Sequence, residues 1–139
     1  MSQPGKLIPL AMQKSMPWKN GGGTTKEIAI YPPGASEFLW RVSAAEISEE
    51  GPFSVFPGCD RLLTVTSKAP VHILREEGPE IRLNPGDVFR FHGEESPLAQ
   101  LPEGPAEDLG LIFRRGKVKA EMHVLALEGK PRSFAFRTR

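Results

Sequence analysis

Turn-forming residues interrupt this chain every few positions, and this punctuation restricts the fold more than any other feature of the sequence. The 14 glycines and 14 prolines are scattered along the 139 residues without a repeat. Residues 32–34 (Pro-Pro-Gly), 51–52 (Gly-Pro) and 84–87 (Asn-Pro-Gly-Asp) are hard stops between short apolar runs. Because proline removes a backbone donor and no long amphipathic segment intervenes, the pattern favours an all-β sandwich or barrel.

The apolar runs between these stops predict about ten short strands. We expect strands at residues 25–31, 38–48, 61–67, 71–74, 81–83, 88–92, 97–101, 109–115, 122–127 and 133–137. Residues 6–12 are a further candidate for a first strand. Segment 38–48 is semi-apolar on both faces, which is typical of a central strand, and an amphipathic helix over residues 43–50 is the rival interpretation.

Length and charge limit the class of protein. A chain of this length with 39% apolar and 25% charged residues is expected to form one globular domain. The 18 basic and 17 acidic residues leave a net charge of +1, which gives no electrostatic reason to expect nucleic acid or a membrane as partner. Cys59 is the single cysteine, so no internal disulfide forms, and residues 1–14 lack the apolar core of a signal peptide. We therefore expect a cytoplasmic protein.

Residues 16–25 (Met-Pro-Trp-Lys-Asn-Gly-Gly-Gly-Thr-Thr) contain three consecutive glycines, an arrangement that disfavours the interior of a helix or strand. Glycine allows positive φ angles and close approach of the backbone to another group. The run is therefore either a wide bend between two strands or a shaped loop against a ligand or another strand. Asn20 is its best polar candidate for contacting a ligand, and the spacing of a phosphate-binding loop is absent.

Five blocks, in order, resemble the HutD/Ves family. They are residues 17–28 (Pro-Trp-Lys-Asn-Gly-Gly-Gly-Thr-Thr-Lys-Glu-Ile), 38–47 (Phe-Leu-Trp-Arg-Val-Ser-Ala-Ala-Glu-Ile), 51–61 (Gly-Pro-Phe-Ser-Val-Phe-Pro-Gly-Cys-Asp-Arg), 89–93 (Phe-Arg-Phe-His-Gly) and 108–116 (Asp-Leu-Gly-Leu-Ile-Phe-Arg-Arg-Gly). The resemblance implies a cupin-like, RmlC-type β-barrel or sandwich. It also implies a bacterial protein associated with histidine utilisation, whose ligand is a degradation intermediate such as urocanate or a formylated derivative.

The resemblance also sets the expected domain organisation. We expect residues 1–139 to form a single cupin-like domain, in which about residues 1–115 match the family's first part and 116–139 form a connecting segment and last strands. Family members usually continue into a second cupin-like half, so this chain resembles an incomplete bicupin. Strand edges left open by a missing half would need a partner chain, which points to a homodimer.

Four further residues are candidates for the ligand site. Trp40 is expected to give an apolar wall, and Arg61 to hold a ligand carboxylate with two hydrogen bonds. Glu46 and His92 are expected to orient the ligand by hydrogen bonds. Each residue also has a structural alternative. The alternatives are a place in the core for Trp40, a solvent-exposed strand end for Glu46, a salt bridge to Asp60 or Glu46 for Arg61, and a structural hydrogen bond for His92.

The sequence predicts neither a metal centre nor a catalytic centre. His72, His92 and His123 are far apart in sequence, so the closely spaced histidines of a metal cupin are missing. Cys59 has no neighbouring base, and the Gly-X-Ser-X-Gly pattern of a nucleophile elbow is absent. We therefore expect no metal, no cofactor and no catalytic residue. Whether the protein is an enzyme stays open, and the sequence favours a protein without enzymatic activity.

Three functions remain as hypotheses. The leading one is a metal-independent, cupin-like protein that binds a small-molecule carboxylate and is accessory or regulatory in histidine or amino-acid catabolism. The second is a metal-independent isomerase or hydrolase that uses Glu46 and His92, which requires these side chains to lie within a few ångströms of each other. The third is a structural module that completes its barrel by dimerisation.

Overall fold

The computed structural model describes residues 14–18, 21–34, 36–125 and 133–138, and every regular element among them is a β-strand. The twelve strands of this part of the chain are β1 (Lys14–Pro17), β2 (Gly23–Tyr31), β3 (Trp40–Ile47), β4 (Gly51–Pro52), β5 (Cys59–Val65), β6 (Val71–Leu74), β7 (Ile81–Leu83), β8 (Val88–His92), β9 (Leu98–Gln100), β10 (Ala106–Arg114), β11 (Ala120–Leu125) and β12 (Ser133–Thr138). The prediction of an all-β protein is confirmed.

The ten predicted strands coincide with observed strands to within a few residues. Two other expectations, a helix and a further first strand, have different outcomes. The helix considered for residues 43–50 is wrong, because this segment is the second half of β3 and is paired on both sides, with β2 and with β10. The candidate strand at residues 6–12 lies outside the described residues. Among the residues described, no helix is long and apolar enough to cross a membrane.

Two antiparallel sheets and a hairpin make up the fold. The larger sheet has six strands in the order β1-β2-β3-β10-β5-β8, and the smaller has four in the order β4-β9-β6-β7. In the part of the chain that the structure describes, strands β11 and β12 pair with each other and with no other strand. The central position of β10 brings residues 106–114 between β3 and β5, which are far from it in sequence.

The four-stranded sheet covers one face of the six-stranded sheet, which we call the inner face. Side chains from the two sheets form a shared core in which Val65 and Ile73 are fully buried and Leu63 is 5% exposed. Alternation along a strand places residues two apart on the same face. Arg61 and Arg41 therefore also lie on the inner face, since Arg61 shares a face of β5 with Leu63.

The hairpin formed by β11 and β12 lies against the opposite, outer face. Here Met122 joins a second core cluster with Leu111 and Phe113 of β10, and Leu111 is fully buried. Burying a leucine side chain contributes roughly 1.5–3 kcal/mol to folding. The six-stranded sheet is thus apolar on both faces at its centre, which explains why neither face of β3 reads as polar in the sequence.

The glycine run packs tightly against β3. Gly21 has a φ of 75°, and a Cβ added to Gly23 would collide with the backbone oxygen of Glu46. The backbone N–H of Trp18 donates to the carbonyl of Gly23 at 2.8 Å, which closes the turn. Close approach to another strand therefore accounts for a glycine at position 23.

Candidate functional site

A cavity of about 480 Å³ opens at the inner face of the six-stranded sheet, beside the loop that follows β4. This volume suits a small organic molecule. The lining residues are Met16, Pro17, Trp18, Thr25, Arg41, Ser43, Ala45, Pro52, Phe53, Ser54, Phe56, Arg61, Leu62, Leu63, Asp108, Gly110 and Ile112. Three of them carry ionisable side chains, and the cavity is otherwise apolar or weakly polar.

Two arginines reach into the cavity from the same row of the sheet. The register pairs Arg41 with Ile112 and Ile112 with Arg61, so the arginines lie two strands apart. Adjacent strands are about 4.8 Å apart, which puts the two Cα atoms roughly 10 Å from each other. A sheet row therefore presents two guanidinium groups to one space.

One buried hydrogen-bond donor of Arg41, its Nε–H group, has no partner among the described residues. Burial lowers the pKa of Arg41, and the carboxylate of Glu27 opposes this shift without forming a salt bridge to it. An unpaired buried N–H costs about 1–3 kcal/mol. Because the Nε atom is inaccessible, contact with a ligand falls to the rest of the guanidinium group of this cavity-lining residue.

Arg61 makes a single hydrogen bond among the described residues, from Nη1 to the carbonyl oxygen of Ser54 at 2.9 Å. Burial lowers its pKa to about 10, with a further lowering by the charge of Arg41 and an opposing effect from Asp108. Its remaining N–H groups stay available, because no carboxylate forms a salt bridge with it in the described part of the chain. The side chain remains a cation at neutral pH, since its pKa lies well above 7.

Aromatic rings hold both guanidinium groups in place. The Cζ atom of Arg61 lies 4.9 Å from the ring centroid of Phe91 and 5.2 Å from that of Phe56. The Cζ atom of Arg41 lies 5.4 Å from the ring centroid of the same Phe56 and 5.3 Å from that of Phe38. Cation–π contacts of this kind compensate part of the lost hydration of each cation. The Phe56 ring thus contacts both guanidinium groups and offsets part of the cost of burying two positive charges in one cavity.

Asp108 supplies the acidic group of the cavity. The residue is 5% exposed, and burial raises the pKa of its carboxyl to about 7, against the opposing charge of Arg61. Its carboxyl makes no hydrogen bond or salt bridge to the residues that the structure describes. At neutral pH the group therefore exists in both protonation states, and its protonated form is a hydrogen-bond donor.

Cations at one end and a titratable acid at the other suit an anionic ligand with a hydrogen-bonding group elsewhere. Guanidinium groups bind carboxylates with two parallel hydrogen bonds, and the apolar walls exclude water that would weaken the contact. Within the described ranges, no group of three or more histidine, cysteine or acidic side chains is placed to hold a metal ion.

Comparison with known proteins identifies the family. The HutD family model matches residues 11–139. The chain belongs to the HutD family. The resemblance found in the sequence blocks is thereby confirmed.

A relative and a solved structure agree with this assignment. An uncharacterized 21.2 kDa protein of the hutC 3′ region of Pseudomonas putida is 39% identical over 108 residues, which are 77% of this chain and 57% of that protein. HutD from Pseudomonas fluorescens SBW25, determined in a formate condition, superposes with a TM-score of 0.79 at 34% identity, over 85% of this chain and 65% of that one. The chain therefore spans less than two thirds of the length of each.

A more distant structure fixes the fold class. The cupin domain of an XRE family transcriptional regulator from Enterobacter cloacae matches with a TM-score of 0.53 at 14% identity. The match covers 66% of this chain and 96% of that domain. At this identity the likeness concerns the fold alone, and it confirms the cupin-like architecture expected from the sequence.

The structure brings Arg61 to the cavity of this HutD-family chain and places Trp40, Glu46 and His92 elsewhere. Trp40 lies on the outer face, where it packs against the cluster around Leu111 and stacks on Tyr31 at 6.1 Å between ring centroids. Asn20 lies outside the described residues. The role of Arg61 as a carboxylate anchor stays a prediction.

Glu46 and His92 are far from the cavity and from each other. Glu46 is exposed on the outer face of β3, and His92 is bonded through Nδ1 to Asp60 at 2.9 Å. The strand register aligns His92 with Asp60, Phe113 and Trp40 in one row across the sheet. Glu46 is six residues further along β3 than Trp40. At about 3.3 Å per residue this separates the two by roughly 20 Å along the sheet. The acid–base chemistry considered for this pair lacks its required geometry.

Sequence reasoning missed Arg41, Asp108 and Phe56. Arg41 and Ser43 alternate with Trp40 and Val42, and the pattern gives no sign of which face points to a cavity. Asp108 has no sequence signal that assigns it to a cavity, and the arginines that follow it in the same block lie elsewhere, with Arg115 bonded to Asp60. An available signal was the arginine at position 41 on a face otherwise formed by small and apolar residues.

Proposed function

We propose that this HutD-family chain is a metal-independent, cupin-like protein that binds a small-molecule carboxylate in its inner cavity. The observation that carries the proposal is that Arg41 and Arg61 enter one cavity and neither forms a salt bridge with a described residue. Two clustered cations without a carboxylate partner favour an anion that arrives from outside the chain. Their aromatic support keeps them in place before the ligand binds.

The proposed role is accessory or regulatory in the catabolism of histidine or other amino acids, in the bacterial cytoplasm. Support comes from the family and from the Pseudomonas putida relative, whose name places it in a hutC 3′ region. Histidine degradation produces small carboxylates, of which we propose urocanate or a formylated derivative such as formylglutamate as the ligand. Each has at least one carboxylate for the arginines and a second polar group within reach of Asp108.

Isothermal titration of the full chain with urocanate and with formylglutamate tests this proposal. We expect saturable binding of at least one ligand. A hydrogen bond to a charged group is worth about 1.5–3 kcal/mol, so Arg61→Ala and Arg41→Ala should each weaken the dissociation constant about 10- to 100-fold. Arg82→Ala is the matched control, because Arg82 is exposed and paired with Glu103 on the smaller sheet.

A steric variant separates loss of charge from loss of space. Gly110 lines the cavity, and a Cβ added there would meet nothing closer than the backbone oxygen of Leu62 at 3.8 Å. Gly110→Leu should therefore fold and fill part of the cavity without removing a charge. Binding that persists in Gly110→Leu and in both arginine variants would refute the inner cavity as the site.

A further inference from the structure

A groove of about 780 Å³ lies on the outer face of the six-stranded sheet, away from the inner cavity. One wall comes from Asp60, Arg90 and Phe113, which share the outer face of β5, β8 and β10. The other wall is the segment 115–121 that leads into β11. The proposed carboxylate site uses none of these residues.

Asp60 organises the cations at one end of this groove. Its Oδ1 accepts hydrogen bonds from Arg115 Nε at 3.0 Å and is 2.9 Å from His92 Nδ1, while Oδ2 accepts from Arg90 Nη2 at 3.2 Å. Burial alone would raise the pKa of Asp60, but the hydrogen bonds from His92 and Arg115 and the nearby guanidinium charges lower it. One buried carboxylate thus fixes three cationic or ionisable side chains.

Arg115 and Arg90 differ in how many of their N–H groups already form hydrogen bonds within the described residues. Arg115 uses four of its five N–H groups, because Nε bonds Asp60 and three further donors bond both oxygens of Glu94 and the carbonyl oxygen of Cys59. Arg90 makes one side-chain hydrogen bond among the described residues, and its side chain is 58% exposed over the ring of Phe113. Several N–H groups of Arg90 therefore face the groove unbonded.

Two lysines add positive charge on the opposite wall. Lys117 and Lys119 are exposed, line the groove and have no acidic partner among the described residues. Glu121, the acidic residue nearest to them in sequence, is 3.3 Å from His123 Nε2. The groove therefore combines the fixed Arg90 with two ammonium groups that form no salt bridge with a described residue.

From this arrangement we infer that the groove binds the phosphate group of a small molecule. Lys117 and Lys119 are compact charges on flexible stems, which suit the three-dimensional arrangement of phosphate oxygens, and Arg90 supplies oriented N–H donors. A phosphate monoester carries a charge of about −1.5 to −2 at neutral pH, which the two unpaired lysines balance. Val118 is half-buried and gives the organic part an apolar surface, next to the largely buried Phe113 and Ala120.

The test is a titration of the full chain with phenyl phosphate and with inorganic phosphate, at constant ionic strength maintained with sodium chloride. We expect saturable binding of phenyl phosphate, tighter than that of inorganic phosphate because the ring gains an apolar contact with Val118. The double variant Lys117→Ala/Lys119→Ala should weaken phenyl phosphate binding at least tenfold. Both lysines are exposed, so this variant should fold, which circular dichroism checks.

Matched controls decide between a site and general attraction. Lys26→Ala/Lys68→Ala removes two exposed lysines that do not line the groove and should leave the affinity unchanged. Arg61→Ala should also leave it unchanged, which separates this proposal from that for the inner cavity. No saturable binding, equal weakening by both lysine pairs, or equal affinity for benzoate would overturn the inference.

Discussion

Arg61 and Asp108 face one cavity from neighbouring strands, four register positions apart, and no salt bridge joins them. Four positions correspond to about 13 Å along a strand, so the cation and the acid occupy opposite ends of the space. Each affects the pKa of the other through its charge: Asp108 opposes the lowering of the Arg61 pKa, and Arg61 opposes the raising of the Asp108 pKa. Both groups consequently remain available to a ligand.

Asp108 makes stability depend on pH. Because burial raises its pKa to about 7 in the folded state, the folded chain keeps a proton that the unfolded chain loses near pH 4. Unfolding therefore releases a proton between about pH 4 and 7, and the free energy of unfolding falls as pH rises through this window. A pKa that rises from about 4 in the unfolded chain to about 7 in the folded chain lowers the free energy of unfolding by roughly 4 kcal/mol across this window.

Urea unfolding of Asp108→Asn measures this contribution. Asparagine cannot ionise, so the variant should gain stability relative to the wild type as pH rises from 5 to 8 and show no further gain above it. Glu77→Gln, at an exposed position, should give a difference that does not change over this range. A difference for Asp108→Asn that is independent of pH would contradict the assignment.

Glu94 should act at acidic pH. Its hydrogen bonds from Arg115, at 2.6 Å for the shortest, and from the backbone N–H of Gly58 at 2.7 Å lower its pKa to about 2. A lowered folded-state pKa contributes stability above the unfolded value near 4.5, and this contribution is lost as pH falls towards 2. Glu94→Gln should therefore be less stable than the wild type at pH 7, with a gap that shrinks by pH 3.

The same unfolding experiment on Glu76→Gln supplies the comparison, because Glu76 is exposed and no hydrogen bond or salt bridge to it is present in the described chain. A constant gap between wild type and Glu94→Gln from pH 7 to pH 3 would show that Glu94 contributes through packing alone. Added salt should also reduce the gap, since the pair with Arg115 is exposed.

Glycines 93 and 110 should differ sharply in their tolerance of a methyl group. A Cβ at Gly93 would collide with the backbone oxygen of Phe56 and lie 2.8 Å from that of Cys59. At Gly110 the nearest atom is 3.8 Å away, and neither residue has a positive φ. Gly93→Ala should cost at least ~2 kcal/mol in thermal or urea unfolding, and Gly110→Ala less than ~1 kcal/mol. Equal effects would contradict the packing described here.

The fold was predictable from sequence because its determinants are local. Proline and glycine end β2 at Pro32–Gly34, and alternation identifies β3 and β8 without knowledge of their partners. Gly51 and Pro52, interpreted from the sequence as a stop, instead form the two-residue strand β4, because they pair with β9. The helix alternative for residues 43–50 failed because strand pairing on both sides of β3 decides its conformation, and that pairing involves β10, some sixty residues away.

The candidate site was predictable only in part. Arg61 stood out because a cation follows a turn and enters an apolar strand. Trp40 and Arg41 are adjacent and lie on opposite faces of β3. The inner face borders a cavity only because the second sheet packs over it, and the sequence does not show that packing. Asp108 lies in a separate block, so its presence beside the arginines depends on the insertion of β10 between β3 and β5.

The most direct test follows the arginine Nε–H resonances of the 15N-labelled full chain while formylglutamate or urocanate is added. Carboxylate binding by Arg41 and Arg61 predicts saturable shifts of these two resonances with one dissociation constant. The resonance of exposed Arg82 should stay unchanged. If neither cavity resonance moves at millimolar ligand, or if all arginines shift alike, the inner cavity does not bind these carboxylates.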